Sequence, residues 1–329
     1  MKKAMLLLPP SNRDRIYGEE HISTLNQLLD LEDCCDLVGD FDALKNLLTK
    51  TEIICSGWGM MKLDEAFLDA APNLEAVFYG AGSVRGFVTD AFWDRDILLT
   101  SSWAANAVPV AQTTVALITL GLKKAFLASR KTCREKSFQR PSDIPGLYRA
   151  KVGIIGAGMI GSKVLERLKR YDVDCYAYDP YRSDKELRKL DAKPLELEEM
   201  FKLCDVVTLH APNIESTQGM ITGQHFASMK DGAVFINTAR GALIRHEEMV
   251  EELKKGRIFA CLDVTWPEPP ESNSPLYELD NVFLTPHIAG AMGDECKRMG
   301  AYVIEEVRRY LENEPSAYSV QKEMMEWMA

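Results

Sequence analysis

Short apolar runs along the chain are each followed by a longer segment in which apolar residues recur at helical spacing. In the first half this pattern predicts strands at Ala4–Leu8, Asp36–Val38, Glu52–Cys55, Ala76–Tyr79 and Ile97–Thr100. A long apolar helix is expected from Val108 to about Ser129, followed by a polar connector, Arg130–Arg149, that contains Pro141, Pro145 and Gly146. A second series then predicts strands at Lys151–Ile155, Asp174–Tyr178, Asp205–Leu209, Ala233–Asn237, Phe259–Asp263 and Val282–Thr285. After Pro286 a helical run reaches about Leu311, and an acidic tail with Met and Trp residues follows. Strands that alternate with helices call for parallel sheets with crossover connections, and the second series for a doubly wound sheet. No internal repeat of fixed period is present.

Length and charge narrow the picture. A chain of 329 residues is expected to form two domains with a large core. Its formal charge of −10 gives no general attraction for phosphate backbones or anionic lipid, so neither nucleic acid nor a membrane is an expected partner. The eight cysteines show no C-x-x-C spacing and no zinc-finger pairing with histidine, and read as reduced, mostly core thiols. The run Ala4–Leu8 is too short for a signal peptide and stops at Pro9-Pro10. No stretch is expected to approach the roughly 20 apolar residues that span a bilayer, which makes the cytoplasm the expected compartment.

One glycine motif stands in the right context. Gly156-Ala-Gly158-Met-Ile-Gly161 follows an apolar strand and opens a helix. In such a loop the first glycine permits a tight turn, the second lets the backbone approach a pyrophosphate, and the third allows close packing of helix on strand. The helix amides and dipole then face the anion. Asp179 ends the next strand, 23 residues after Gly156. A carboxylate there accepts from ribose hydroxyls and repels a 2′-phosphate, so NAD is expected over NADP, with Arg182 as the opposing feature. Methyltransferases that use S-adenosylmethionine share such a loop and acid and form the main competing use.

Three further residues follow three consecutive strands of the second series. They are Arg240 in Ile236-Asn-Thr-Ala-Arg240-Gly241, Glu268 in Asp263-Val-Thr-Trp-Pro-Glu268-Pro269, and His287 in Leu284-Thr-Pro-His287-Ile-Ala-Gly290. Doubly wound folds keep their sites at these strand ends, so the three can converge. Taken singly, each is as compatible with a surface ion pair, a solvated turn or a structural loop histidine. Together they offer a guanidinium fork for a carboxylate, an imidazole that exchanges a proton near neutral pH, and a carboxylate that favours the protonated imidazole. A 2-oxo acid that receives hydride at C2 and a proton on oxygen needs that set. No G-x-S-x-G, H-E-x-x-H, phosphate-loop lysine or EF-hand pattern is present, and no metal site is expected.

With these motifs the chain resembles the D-isomer-specific 2-hydroxyacid dehydrogenases over nearly its whole length. The resemblance rests on the glycine loop with Tyr178-Asp179-Pro180, on Cys204-Asp-Val-Val-Thr-Leu-His210-Ala-Pro212, on Asn237-Thr-Ala-Arg240-Gly241, on Leu262-Asp263-Val264 with Glu268-Pro269, and on Thr285-Pro-His287-Ile-Ala-Gly290. It implies an α/β fold of two Rossmann-like domains, a doubly wound NAD domain at 102–286 inserted in a smaller flavodoxin-like substrate domain at 1–101 plus 287–329. The site is expected in the cleft between them. Arg240 would bind the substrate carboxylate and 2-oxo group, His287 would be the acid/base, and Glu268 would tune it. Backbone amides of Ala81 and Gly82 would clasp the substrate carboxylate. The cofactor would be held by Gly156, Gly158, Met159, Ile160, Gly161, Asp179, His210, Ala211, Pro212, Thr238, Ala239 and Asp263, the last at the nicotinamide carboxamide.

The resemblance also implies a homodimer paired through about Val108–Arg149; with no room after the closing helix for the regulatory domain of many phosphoglycerate dehydrogenases, control by serine is not expected. Two segments depart from many relatives: Ser83-Val-Arg85-Gly-Phe-Val88 replaces a G-x-D-x-I-D-like run, and Val110-Ala111-Gln112 replaces Val-Ala-Glu. The expected activity is NAD(H)-linked reduction of a small 2-oxo acid, glyoxylate or hydroxypyruvate, or the reverse oxidation. The alternative is a non-catalytic NAD-sensing scaffold of the same fold, like the C-terminal-binding corepressors.

Overall fold

In a computed structural model, residues 1–138 and 144–326 are described. The chain divides into two compact units, Met1–Asn106 with Ala291–Ala329 and Ala107–Gly290, beside the expected division at 101/102 and 286/287. Both units are α/β, each built on one all-parallel sheet.

The first unit carries β1 (Lys3–Leu7), β2 (Asp30–Asp33), β3 (Ile53–Ser56), β4 (Ala76–Tyr79) and β5 (Leu98–Ser101) in the order β2-β1-β3-β4-β5, the flavodoxin-like order. Its central strands are buried on both faces, as crossover helices require. Met5, Leu7, Ile54 and Val77 pack into one core, and Leu6, Cys55 and Phe78 into the other with the helix Lys297–Leu311. The expected strand at Asp36–Val38 is instead a 3-10 turn at Cys35–Leu37, and the strand precedes it as Asp30-Leu-Glu-Asp33. An edge strand pairs on one side only and tolerates polar residues, so β2 carries no apolar signal.

The second unit carries β6 (Ala150–Ile155), β7 (Val173–Tyr178), β8 (Lys193–Pro194), β9 (Val206–Leu209), β10 (Val234–Asn237), β11 (Phe259–Leu262) and β12 (Val282–Leu284) in the order β12-β11-β10-β9-β6-β7-β8. Six of these seven strands were predicted; the two-residue β8 was not, because a proline argues against a strand except at an edge. The order in which strands are added reverses at β6, with β7 on one side and β9 on the other, which puts the ligand crevice of such a sheet at the carboxyl ends of β6 and β9.

The long apolar helix begins earlier than expected, at Trp103, and ends at Leu122. Lys124 in the left-handed region, φ +48°, breaks it, and a second helix runs Ala125–Glu135. By length and composition Trp103–Leu122 is able to cross a membrane, which corrects the expectation that no such stretch exists. Its apolar character has a local cause: Ala111, Val115, Ile118 and Leu122 pack against Val152, Val234 and Ile236 of the sheet. The expected connector begins inside the second helix; its Pro141, like Trp327 and Met328 of the tail, lies outside the described residues.

Candidate active site

The glycine loop closes over the switch point of the second sheet. Gly156 has φ +85°, and a Cβ there would lie 2.8 Å from the Ala211 amide nitrogen and from the His210 carbonyl carbon. Only glycine lets the turn after β6 press this closely on the turn after β9. A Cβ on Gly161 would lie 2.0 Å from the Gly156 carbonyl oxygen, so the third glycine seats the helix Met159–Leu168 on the loop itself. Around Gly158, by contrast, a Cβ would meet nothing within 4 Å, and no side chain caps the helix. The first turn, with Met159 and Ile160, thus presents free amides beside open space, which fits a bound diphosphate.

Asp179 does more than await a ribose. Its Oδ2 accepts from the Ala157 amide at 2.8 Å and its Oδ1 from the Tyr181 amide at 2.9 Å, which locks the glycine loop to the end of β7. A carboxylate has further lone pairs for hydroxyl donors, so both roles are compatible. Asp179→Ala is therefore expected to raise KM for NADH more than for NADPH and to narrow the preference between them. Higher kcat/KM of the unaltered protein with NADPH would refute the assignment.

His210 is buried, and burial pushes its pKa down to about 3, so the ring is neutral. Nε2 pairs with the Thr208 hydroxyl at 3.0 Å, whereas the buried Nδ1 has no partner among the described residues. An orphaned buried polar atom is costly, and its place beside Gly156, with Ala211 and Pro212 following, fits a cofactor that supplies the missing contact. The residues present therefore fit a dinucleotide.

The three chemical residues all lie in the second unit, after β10, β11 and β12. Arg240 is fixed from both sides along the chain. The fully buried Asn237 side chain accepts from the Ala239 amide at 2.9 Å and donates to the Arg240 carbonyl at 3.0 Å, an Asx-turn that shapes the whole segment. Within it Thr238 pairs with Thr114 at 3.1 Å, and Thr114 donates to the Val110 carbonyl at 2.8 Å, so Thr238 is the donor. On the far side a Cβ on Gly241 would lie 2.0 Å from the Thr265 carbonyl oxygen, so the turns after β10 and β11 touch backbone to backbone. Burial lowers the pKa of the Arg240 guanidinium from arginine's ordinary value, and Glu268 opposes that shift. Nη1 donates to the Ala239 carbonyl at 2.7 Å, leaving most of the fork's donors for a ligand.

His287 Nδ1 lies 2.6 Å from Glu268 Oε1. The pairing leaves Nε2 of His287 as the nitrogen available to a substrate. His287 has φ +54°, a left-handed conformation that costs a non-glycine residue roughly 1–2 kcal/mol. Asp263 holds it there. The buried Asp263 carboxylate accepts from the Thr285 hydroxyl at 2.6 Å, the Ile288 amide at 2.8 Å and the Ala289 amide at 2.9 Å, and the Asp263 carbonyl accepts from the His287 amide at 2.9 Å. A residue expected only at the cofactor thus shapes the histidine loop. Sequence reasoning missed this role and that of Asn237, although an Asx two residues before the amide it binds was a readable signal for the latter.

Ala81 and Gly82 lie in the first unit, after β4. Ser101 Oγ contacts their carbonyl oxygens at 2.8 and 2.5 Å.

A doubly wound sheet, a glycine loop at its switch point and an arginine, a glutamate and a histidine at adjacent strand ends define an NAD-binding protein of dehydrogenase type. The sequence model for the D-isomer specific 2-hydroxyacid dehydrogenase, NAD binding domain, matches residues 115–289, and the chain belongs to that family. It is 31% identical over 312 residues to a glyoxylate reductase of Thermofilum pendens, covering 90% of this chain and 91% of that one. It is 30% identical over 248 residues to a D-3-phosphoglycerate dehydrogenase of Archaeoglobus fulgidus, covering 75% of this chain and 47% of that one. The chain thus spans about half the length of that relative. Among solved structures, the TT0316 protein from Thermus thermophilus is similar with a TM-score of 0.72 and 27% identity, over 96% of this chain and 99% of that one.

Proposed function

We propose that the protein interconverts a small 2-oxo acid and its D-2-hydroxy acid with NAD(H), glyoxylate or hydroxypyruvate being the favoured oxo acid. The observation that carries this reading is the 2.6 Å pair of His287 Nδ1 and Glu268 Oε1, one strand end away from the half-buried Arg240. NADH, held by the glycine loop and Asp179, would supply the hydride that C2 of the oxo acid accepts. Arg240 binds the carboxylate and the 2-oxo oxygen, orienting C2 and stabilising the charge that develops on the oxygen. His287 gives the proton from Nε2 to that oxygen, and Glu268 stabilises the imidazolium that must be present beforehand. In oxidation the same nitrogen removes the hydroxyl proton. The amides of Ala81 and Gly82 take part in holding the carboxylate. The likeness to a glyoxylate reductase over nine-tenths of both chains supports a substrate of two or three carbons.

The test is loss of NADH absorbance across glyoxylate, hydroxypyruvate, pyruvate, phenylpyruvate and 3-phosphohydroxypyruvate. Turnover of the first two ahead of the rest supports the proposal. A panel without any turnover overturns it and favours the scaffold alternative.

The same reading includes a homodimer, paired through the helix Trp103–Leu122 and the segment that follows it. Sedimentation at micromolar concentration is expected to give twice the 37.0 kDa of the chain, and a 37.0 kDa species would refute the pairing.

A further inference from the structure

We infer that Ser101 is a positioning residue for the substrate carboxylate, acting through the backbone of Ala81 and Gly82. The inference rests on the proposed role of those two amides. Ser101 ends β5 and is 2% exposed. Its hydroxyl lies 2.8 Å from the Ala81 carbonyl oxygen and 2.5 Å from that of Gly82. A carbonyl shares its peptide plane with the amide of the following residue, so the Ala81 carbonyl, held toward Ser101 by the hydroxyl's one proton, turns the Gly82 amide away from β5. The amides of Ala81 and Gly82 donate to no acceptor among the described residues, as expected of groups kept for an anion.

Ser101 is itself braced. Its amide donates to the Tyr318 carbonyl at 3.1 Å, and the Val320 amide donates to the Leu99 carbonyl at 2.8 Å, with Thr100 and Ser319 bridged antiparallel. The C-terminal segment therefore adds itself to the edge of β5. It is clasped in turn by Glu306, 3% exposed, whose carboxylate accepts from the Ala317 amide at 3.0 Å and from the Ser316 hydroxyl. Four supports in series fix a serine whose own side chain shapes the turn after β4. Sequence alone gives no hint of this, because Ser101 stands outside every motif quoted above.

The experiment measures binding of oxamate, an unreactive analogue of a 2-oxo acid, to the full-length protein saturated with NADH, together with steady-state kinetics. Ser101→Ala is expected to raise both the oxamate Kd and KM for the oxo acid by roughly tenfold, the effect of losing one such hydrogen bond. It should leave kcat within about twofold and the NADH Kd unchanged, and Ser101→Cys, which retains a weak donor, should recover part of the loss. A parallel variant, Gly82→Pro, deletes one of the amides. If Gly82→Pro weakens oxamate and Ser101→Ala does not, the role of Ser101 is overturned and the amide reading stands. If neither weakens oxamate, the amide reading falls and this inference with it. Equal weakening of oxamate and NADH by Ser101→Ala, with a lower Tm, also overturns it, since that is the mark of a residue that only supports the fold.

Discussion

His287→Ala is expected to lower kcat by about 10²–10⁴ in the reduction of whichever oxo acid proves to be the substrate, with NADH affinity little changed. The size follows from the role proposed for the ring, which is to hand a proton to the oxygen as C2 accepts hydride. A loss of that order corresponds to roughly 3–5 kcal/mol of barrier. The companion change Glu268→Gln separates the donor from its support. It keeps a group at hydrogen-bond distance from Nδ1 but removes the negative charge beside the ring, so kcat for reduction should fall while NADH affinity holds. Steady-state rates of the two variants decide both. Unchanged kcat in His287→Ala would remove the acid/base assignment, whereas a silent Glu268→Gln alone would remove only the tuning role.

The doubly wound core was legible because crossover helices bury both faces of the inner strands, which then read as continuous apolar runs such as Val206–Leu209 and Val234–Asn237. The edges were not. Asp30–Asp33 and Lys193–Pro194 pair on one side only and carry polar residues or proline, so periodicity had nothing to register. The long apolar helix was visible, but its break was not, since a lysine at φ +48° has no sequence signature comparable to glycine.

The site divides in the same way. Arg240, Glu268 and His287 could be proposed from the sequence because their residue types imply chemistry and their positions follow strands. The supports around them were hidden. Asp263 was assigned to the cofactor, yet its carboxylate carries the hydrogen bonds that keep the His287 loop in a left-handed turn. The turn after β10 depends on Asn237 and on a glycine whose neighbour, the Thr265 backbone, is distant in sequence. Such contacts depend on three-dimensional closeness that residue type alone does not announce.

Arg240→Lys should cost more than a conservative exchange normally does. Arginine offers five N–H donors in a planar fork, and one of the terminal nitrogens is already committed to the Ala239 carbonyl at 2.7 Å. The remaining donors can span a carboxylate and the adjacent 2-oxo oxygen. A lysine in the same place has three donors on one atom, and if one bonds to the Ala239 carbonyl the other two cannot lie in the plane of an oxo acid. Its shorter reach also leaves space between the ammonium and the substrate. The backbone gives no relief, because Asn237 holds the turn on one side and the Gly241 to Thr265 approach closes it on the other. Ground-state binding and stabilisation of the developing oxyanion should both suffer, and kcat/KM should fall by about 10²–10³, shared between KM and kcat. NADH binding should persist, since the glycine loop and Asp179 are untouched. A rise in KM alone would confine Arg240 to holding the carboxylate, and kinetics like those of the unaltered protein would remove it from the site.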